Sequence, residues 1–166
     1  MSRLPLLLAL LAAAPEAGID AALRAYEQRL SALLALSPAE LPTAAGAGAR
    51  ELLGLAAEIA PAFSAAEPQC RDYLEAALTV RERWPLLGPD SIEADYHRDG
   101  RLPKGAPALC YHMKDLIVHP ATVLVLLAHP PADPAALRRE LDEIGAHLKA
   151  VRALLGAPEA KPGGAE

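Results

Sequence analysis

The residues that could carry chemistry are concentrated between Asp90 and His119, where the chain reads DSIEADYHRDG and, further on, CYHMKDLIVHP. Three of the five histidines, His97, His112 and His119, lie in this stretch. His112, Asp115 and His119 are spaced by three and four residues, so an α-helix places them on one face. Two imidazoles and a carboxylate on one face can bind a single ion, and zinc suits this ligand set.

The same face has two other interpretations. Asp115 can orient one imidazole, as the carboxylate of an acid–base pair does. In a purely structural interpretation, His119 satisfies the backbone groups freed by Pro120. Asp115 then pairs with Lys114, and His112 is exposed to solvent. The residue pattern favours the structural interpretation over a metal or haem site, and both over catalysis, because perturbed clusters also arise in structural ion-pair networks.

A further ligand is expected from the segment that precedes this helix, either His97 or Glu93. Glu93 and His97 are four residues apart, a spacing more often found in surface ion pairs. The chain has no C-x-x-C-H motif, which excludes covalent c-type haem, and no H-E-x-x-H motif of zinc proteases. Met113 beside His112 is a weak signal for haem ligation. The sequence leaves the cofactor open, and the candidate that this face offers is a divalent metal such as zinc.

Cys70 and Cys110 are the two cysteines of the chain, and we predict that they form a disulfide. Each lies at the start of a predicted helix, on its apolar stripe. In an exported protein, two cysteines usually form one bridge. A bridge between two helix starts requires both helices to run in the same direction. The alternative is two separate buried thiols, since a free cysteine behaves as a small apolar residue.

The elements that must position these residues are α-helices. Ala and Leu dominate the apolar composition, and aromatic residues make up only 4% of the chain. Apolar residues repeat by three and four, which is the helical spacing. This spacing predicts helices over 18–36, 43–63, 67–84, 108–128 and 133–155. Thr43 is the expected N-cap of the second helix, and Pro61 is expected to bend or end it.

The fourth predicted helix is apolar nearly all round from Leu116 to Leu127, so we expect it to be buried on most sides. Pro120 is expected to kink it or to start a new helical segment. A connector of more than twenty residues, bounded by Pro85 and Pro107, precedes it and is predicted to hold a short helix over 91–99, closed by Gly100. The predicted fold is an all-α bundle of four to five helices, with this connector as a crossover.

The first 17 residues are predicted to be a signal peptide. A short basic start is followed by an apolar run from Leu4 to Ala14, which has the length of a signal-peptide core and is too short to span a membrane. Pro15 argues against cleavage after Ala14, and the alternative is the first helix of a cytoplasmic protein. Residues 18–156 then form the bundle, and 157–166 a disordered tail. The expected location is the periplasm or the exterior.

The charge pattern limits the classes of partner. The net charge is −5, and no stripe of Lys and Arg with interleaved aromatics occurs, which argues against a nucleic-acid partner. No apolar run beyond the first residues is long enough for a membrane helix. The sequence predicts an exported helical bundle that binds a partner protein or small ligand without catalysing a reaction. The alternative is a metal- or haem-binding protein that uses the face of His112, Asp115 and His119.

Overall fold

The computed structural model describes residues 15–156, and side-chain environments from residue 18 onward. This part of the chain is helical and contains no β-strand, so the predicted all-α class is confirmed. The α-helices are α1 (Pro15–Leu34), α2 (Leu41–Ala66), α3 (Arg71–Leu78), α4 (Val80–Arg83), α5 (Pro89–Ile92), α6 (Ala108–Ala128) and α7 (Pro134–Leu155). Of the predicted signal peptide, residues 1–14 lie outside the described residues, as does the predicted tail, 157–166.

The helix predicted over 67–84 is broken, so the described residues hold more helical segments than the four to five expected. It consists of a 3₁₀ turn (Pro68–Cys70), α3, α4 and a second 3₁₀ turn (Trp84–Leu86). The interruption lies at Thr79, whose hydroxyl donates a 2.6 Å hydrogen bond to Ala76 O. The Thr79 N–H also bonds to Ala76 O, as in a 3₁₀ turn. Such a side-chain bond competes with the regular helical ladder and explains the break.

The expected N-cap of α2 was wrong. The helix begins at Leu41 rather than at Thr43, because Pro42 is tolerated in a first turn. The Thr43 hydroxyl donates to Glu40 O instead of capping the helix. Pro61 does not end α2, which continues to Ala66. Pro61 lies on the exposed side of α2, where solvent can satisfy the carbonyl that it leaves unpaired.

Helix α6 is the centre of the fold, as its apolar composition predicts. Every residue from 113 to 125 is buried, and α6 packs against α2, α3 and α7. It spans the predicted residues 108–128 without a break at Pro120. Helix α7 begins as predicted, with the Asp133 carboxylate accepting a 3.0 Å hydrogen bond from the Ala135 N–H. None of the described helices combines the length and apolar character needed to cross a membrane.

Tyr26 compensates the hydrogen bond that Pro120 removes. Proline lacks the N–H that would bond to the carbonyl four residues earlier, which is that of Leu116. The Tyr26 hydroxyl, reaching across from α1, donates a 2.7 Å hydrogen bond to Leu116 O. The structural interpretation gave this role to His119 and was wrong on that point, because a side chain of another helix performs it. Its expected pair of Asp115 with Lys114 is present. The ring of His119 is therefore available for other contacts.

The connector between α4 and α6 holds a short helical segment, as predicted, although it begins at Pro89 and ends at His97 rather than covering 91–99. It contains α5 and a π-helical turn, Glu93–His97. The chain then reverses at Asp99, whose φ of 55° lies in the left-handed region. The Gly100 N–H bonds to Ala94 O at 3.0 Å, and a β-carbon at Gly100 would collide with this carbonyl. This closure places Tyr96 and His97 against α6.

Cys70 and Cys110 lie at disulfide distance, as predicted, with the Sγ atoms 2.00 Å apart and the Cα atoms 5.1 Å apart. About one turn further along both helices, Tyr73 and Lys114 both contact Asp99. From the cysteine pair to the Asp99 contacts, the chain moves towards the C-terminus of both helices, so α3 and α6 run in the same direction. A link between two helix starts requires this arrangement.

Candidate metal centre

Four of the five histidines form one cluster at the junction of α6, α7 and the connector. The ring centroids are 4.6 Å apart for His97 and His119, 5.1 Å for His119 and His147, and 5.1 Å for His147 and His112. His112 and His119 come from α6, His147 from α7, and His97 from the π-helical turn. The rings thus form a continuous row across three elements.

Two groups of side chains in this cluster have the proximity needed to hold an ion. One consists of Asp115, His119 and His147, and the other of His97, His119 and Glu140. Within each group the candidate ligand atoms all lie within 4.8 Å of one another. His119 belongs to both groups, so it is the central residue of the cluster.

One ligand pair of the first group has the spacing found in zinc sites. Asp115 Oδ2 lies 3.5 Å from His147 Nε2. In a tetrahedral site with bonds of about 2.0–2.1 Å, neighbouring ligand atoms are about 3.3 Å apart. Asp115, His119 and His147 all lie largely inside the protein, with side chains 1%, 6% and 12% exposed. An ion between them would be shielded from most of the solvent.

The carboxylate of Asp115 is buried without a regular hydrogen-bond partner. Among the described residues, no donor forms a well-aligned hydrogen bond with either of its oxygens, although the Tyr111 hydroxyl is close enough to interact with the carboxylate. Lys114 Nζ lies 2.8 Å from Oδ1 as an ion pair, which leaves Oδ2 directed towards His147. An unpaired carboxylate oxygen in the interior is costly, and a cation is the partner that would compensate it.

Lys114 is fully buried and is surrounded by acceptors. Its ammonium lies 3.4 Å from Asp99 Oδ1, donates to Tyr96 O at 3.1 Å, and lies over the ring of Tyr111. Together with the Asp115 ion pair, these contacts hold one positive charge between two carboxylates. The lysine therefore fixes the connector to α6, and Asp115 retains an oxygen for the cluster.

The hydrogen bonds of His119 indicate which nitrogen is free. His119 Nδ1 lies 2.8 Å from Glu140 Oε2, and a carboxylate can only accept, so the Nδ1 proton is donated to it. The lone pair of the neutral ring is then on Nε2. A carboxylate that accepts from the far nitrogen of a histidine is the common orienting contact of metal-binding histidines.

Burial keeps two of the histidines in the neutral form that binds metals. It lowers the pKa of His147 to about 4, although Asp115 opposes the shift. It also lowers the pKa of His97, and the neighbouring His119 adds to that effect. Tyr111 borders the cluster, and burial followed by the Asp115 charge raises its pKa to about 12. Near pH 7 the rings of His147 and His97 are therefore already neutral, and neither has to lose a proton before it binds an ion.

The predicted site residues converge, although not all of them occupy ligand positions. His97, Asp115 and His119 belong to the two groups. His112 is not in either group, and its Nδ1 lies 2.9 Å from Nδ1 of His147, as a hydrogen-bond partner. Glu93 instead forms a surface ion pair with Arg98, with Nε and Oε1 2.9 Å apart.

Glu140 and His147 are the members of the cluster that sequence reasoning missed. Both lie on the helix predicted over 133–155, seven residues apart, and therefore on one face. The spacing of Glu140, Glu143 and His147 was the available signal. The apolar repeat of α7 does not by itself distinguish this polar face from one that only contacts solvent.

Two partly exposed side chains, Tyr111 and Glu143, border the cluster. Tyr111 is 38% exposed, and its ring contacts those of His112 and His147 edge-on. The Glu143 side chain is half exposed, with Oε2 4.0 Å from Nε2 of His119. The partly exposed border of the cluster is therefore formed by an aromatic and an acidic side chain.

Comparison of the chain with protein-family models, with curated proteins and with solved structures finds no match to any of them.

Proposed function

We propose that this protein binds a divalent transition metal, zinc or an ion with similar preferences, through Asp115, His119 and His147. The observation that carries the proposal is the buried Asp115 carboxylate, which has no well-aligned donor among the described residues and faces His147 Nε2 at 3.5 Å. An imidazole lone pair and a carboxylate oxygen that face each other need a proton or a metal ion between them.

The local charge supports a dication. Asp99, Asp115, Glu140 and Glu143 contribute −4, and Lys114 contributes +1, which gives −3 around the cluster. Imidazole and carboxylate are ligands that zinc and related ions accept. The charge and the ligand chemistry therefore favour the same class of ion.

Haem is a poorer candidate for this cluster than a bare ion. The rings of His97, His119 and His147 pack directly against each other, with centroids 4.6–5.1 Å apart. A macrocycle bound to these side chains would have to separate them. A bare ion can enter with small side-chain movements, so the metal alternative is favoured over the haem alternative.

The set of three protein ligands leaves one coordination position for water or another molecule, as in sites where zinc activates water. The proposal includes metal binding and no reaction.

We further propose that the protein works after export. The cysteine pair at disulfide distance supports this location, because such bridges persist in oxidising compartments.

The experiment is metal analysis of the purified protein. The protein is treated with chelator, dialysed against Zn²⁺ and measured by elemental analysis, and we expect retained zinc. Asp115→Asn and His147→Asn should each weaken Zn²⁺ binding by tenfold or more. His129→Gln is the matched control, because His129 bonds to Val125 O at the end of α6, away from the cluster. Absence of zinc in the wild type, or binding unchanged in both variants, would reject the proposal.

A further inference from the structure

We infer that His119 can bind two cations, one on each ring nitrogen, so that the cluster forms a dinuclear site. This inference rests on the proposed function, because the first cation is the one that Asp115 and His147 hold together with His119 Nε2. The second cation would bind on the Nδ1 side, between His97, His119 and Glu140. It would use a different set of side chains, apart from the shared ring.

The Nδ1 side of His119 has its own carboxylate and imidazole. Glu140 Oε2 lies 2.8 Å from Nδ1, and the His97 ring centroid lies 4.6 Å from that of His119. The ligand atoms of the three residues lie within 4.8 Å of one another. The Glu140 side chain is only 14% exposed, so its charge is partly shielded from water. This spacing lets three ligands approach one ion.

The hydrogen bonds of His97 leave it one free nitrogen. The Thr122 hydroxyl donates to Val118 O at 3.0 Å, which uses its single hydrogen. The same hydroxyl therefore accepts from His97 Nε2, 2.9 Å away. In this tautomer the lone pair of His97 is on Nδ1. The hydrogen bond to Thr122 thus selects the tautomer of His97 in which Nδ1 can bind a metal.

Binding of the second cation replaces a proton. The Nδ1–H bond of His119 breaks, the proton passes to solvent, and the nitrogen binds the metal in its place. No electron is transferred. A cation already on Nε2 draws electron density from the ring and makes the Nδ1 proton easier to remove. The two binding events are therefore ordered, and the second releases a proton that the first does not.

The charges balance in the doubly loaded state. Asp115, Glu140, Glu143 and the deprotonated His119 ring contribute −1 each, a total of −4, against +4 from two dications. Lys114 is compensated separately by Asp99. A second cation on the Nδ1 side is thus not opposed by excess positive charge.

The test is a titration of the chelator-treated, full-length protein with Zn²⁺ and, separately, with Cu²⁺. We expect two equivalents of each metal and the release of a proton in the second step. Two Cu²⁺ ions joined by one imidazolate couple magnetically. The electron paramagnetic resonance signal should therefore rise up to the first equivalent and fall during the second. A signal that keeps rising through the second equivalent would overturn the bridged arrangement.

Variants of the ligands on the Nδ1 side of His119 should remove the second cation and keep the first. Glu140→Gln and His97→Asn should each bind one equivalent, and Asp142→Asn, an exposed carboxylate change on the same helix, should keep two. Circular dichroism establishes that each variant is folded. A wild type that binds one equivalent would overturn this inference and leave the proposed function intact. Binding of no metal would overturn both. Two equivalents in both Glu140→Gln and His97→Asn would place the second ion elsewhere and overturn the inference.

Discussion

Tyr26 compensates the hydrogen bond that Pro120 removes from α6, and this leaves His119 free to contact the histidine cluster. Pro120 follows His119 directly and would leave Leu116 O unpaired inside the protein. Tyr26, which is fully buried, donates to this carbonyl, and its burial raises the pKa of its hydroxyl well above the ordinary value. The hydroxyl therefore stays protonated and donates at any physiological pH. His119 does not have to repair the backbone and can face the cluster.

Tyr26→Phe should lower the free energy of unfolding by about 1–3 kcal/mol, because it leaves Leu116 O buried without a donor. The measurement is urea denaturation. The control is the same change in a Pro120→Ala background, where the restored N–H bonds to Leu116 O. The cost should be clearly smaller there, and an equal cost in both backgrounds would contradict the explanation.

The stability of the metal-free protein should fall as the pH drops from 6.5 to 4. The pKa of His147 is about 4 in the folded protein and 6.5 in an unperturbed histidine. Within this window the unfolded chain takes up a proton that the folded chain does not. Because the ring is only partly buried, the expected loss is below the value that the full shift would give, about 1–3 kcal/mol once the window is crossed.

Denaturation with chelator at pH 7 and pH 4.5 measures this effect. Both the wild type and His147→Asn contain the same carboxylates, which also titrate, so only the difference between the two proteins reports on His147. His147→Asn should lose less stability over the interval. Equal losses would show that His147 does not titrate as described.

At the scale of elements, the contact of α1 with α2 depends on a glycine inside a helix. Gly48 is buried, and a β-carbon at this position would lie 2.5 Å from Cδ2 of Leu33. Glycine normally weakens a helix by about 1 kcal/mol relative to alanine. At Gly48 this weakness is offset by the close approach of α1 that the missing side chain permits. Gly54, on the same helix, has no such neighbour within 4 Å.

Gly48→Ala should destabilise the protein by about 1–3 kcal/mol, because Leu33 must move in a packed interior. Gly54→Ala is the matched control and should raise the free energy of unfolding by up to about 1 kcal/mol, through helix propensity alone. Thermal denaturation of both variants decides the question. A stabilising effect at both positions would show that the contact between α1 and α2 is not tight.

At the scale of the whole molecule, the Cys70–Cys110 pair links α3 to α6 across a sequence separation of 40 residues. The segment between them carries the connector, whose Tyr96 and Asp99 contact α6 through Lys114. A link at the start of both helices limits how far this connector can move from the cluster. His97, which belongs to the connector, is thereby held beside His119.

Replacing both cysteines by alanine should lower the free energy of unfolding by about 4 kcal/mol, the chain-entropy value for a loop of this length. Denaturant unfolding measures it. A reducing agent should destabilise the wild type by a similar amount and leave the double variant unchanged. If the reductant has no effect on the wild type, the pair is not a disulfide in solution.

Export predicts a shortened chain in the native host. Mass spectrometry of the isolated protein should find an N-terminus near residue 14 to 18, because an apolar run of this length is removed with the signal peptide. The same sample should contain the Cys70–Cys110 linkage. A chain that begins at Met1 or Ser2 would contradict export and favour the cytoplasmic alternative.

The sequence by itself determined those features that depend on local spacing. The flanking prolines and the Asp133 cap predicted the bounds of α6 and the start of α7. The three-and-four repeat, together with the composition, predicted the all-α class, because burial of one helix face produces a periodic apolar pattern. It also placed His112, Asp115 and His119 on one face. The cysteine count, together with two helix starts, was enough to identify the pair at disulfide distance.

Only the tertiary structure decided which side chains meet. His147 joins Asp115 from another helix, and the rotation of α7 about its axis relative to α6 brings them together. Tyr26 reaches Leu116 O from α1, a contact between residues 90 positions apart. Such contacts depend on how whole helices pack, and a periodic pattern does not encode this, since one apolar stripe is compatible with many packing angles.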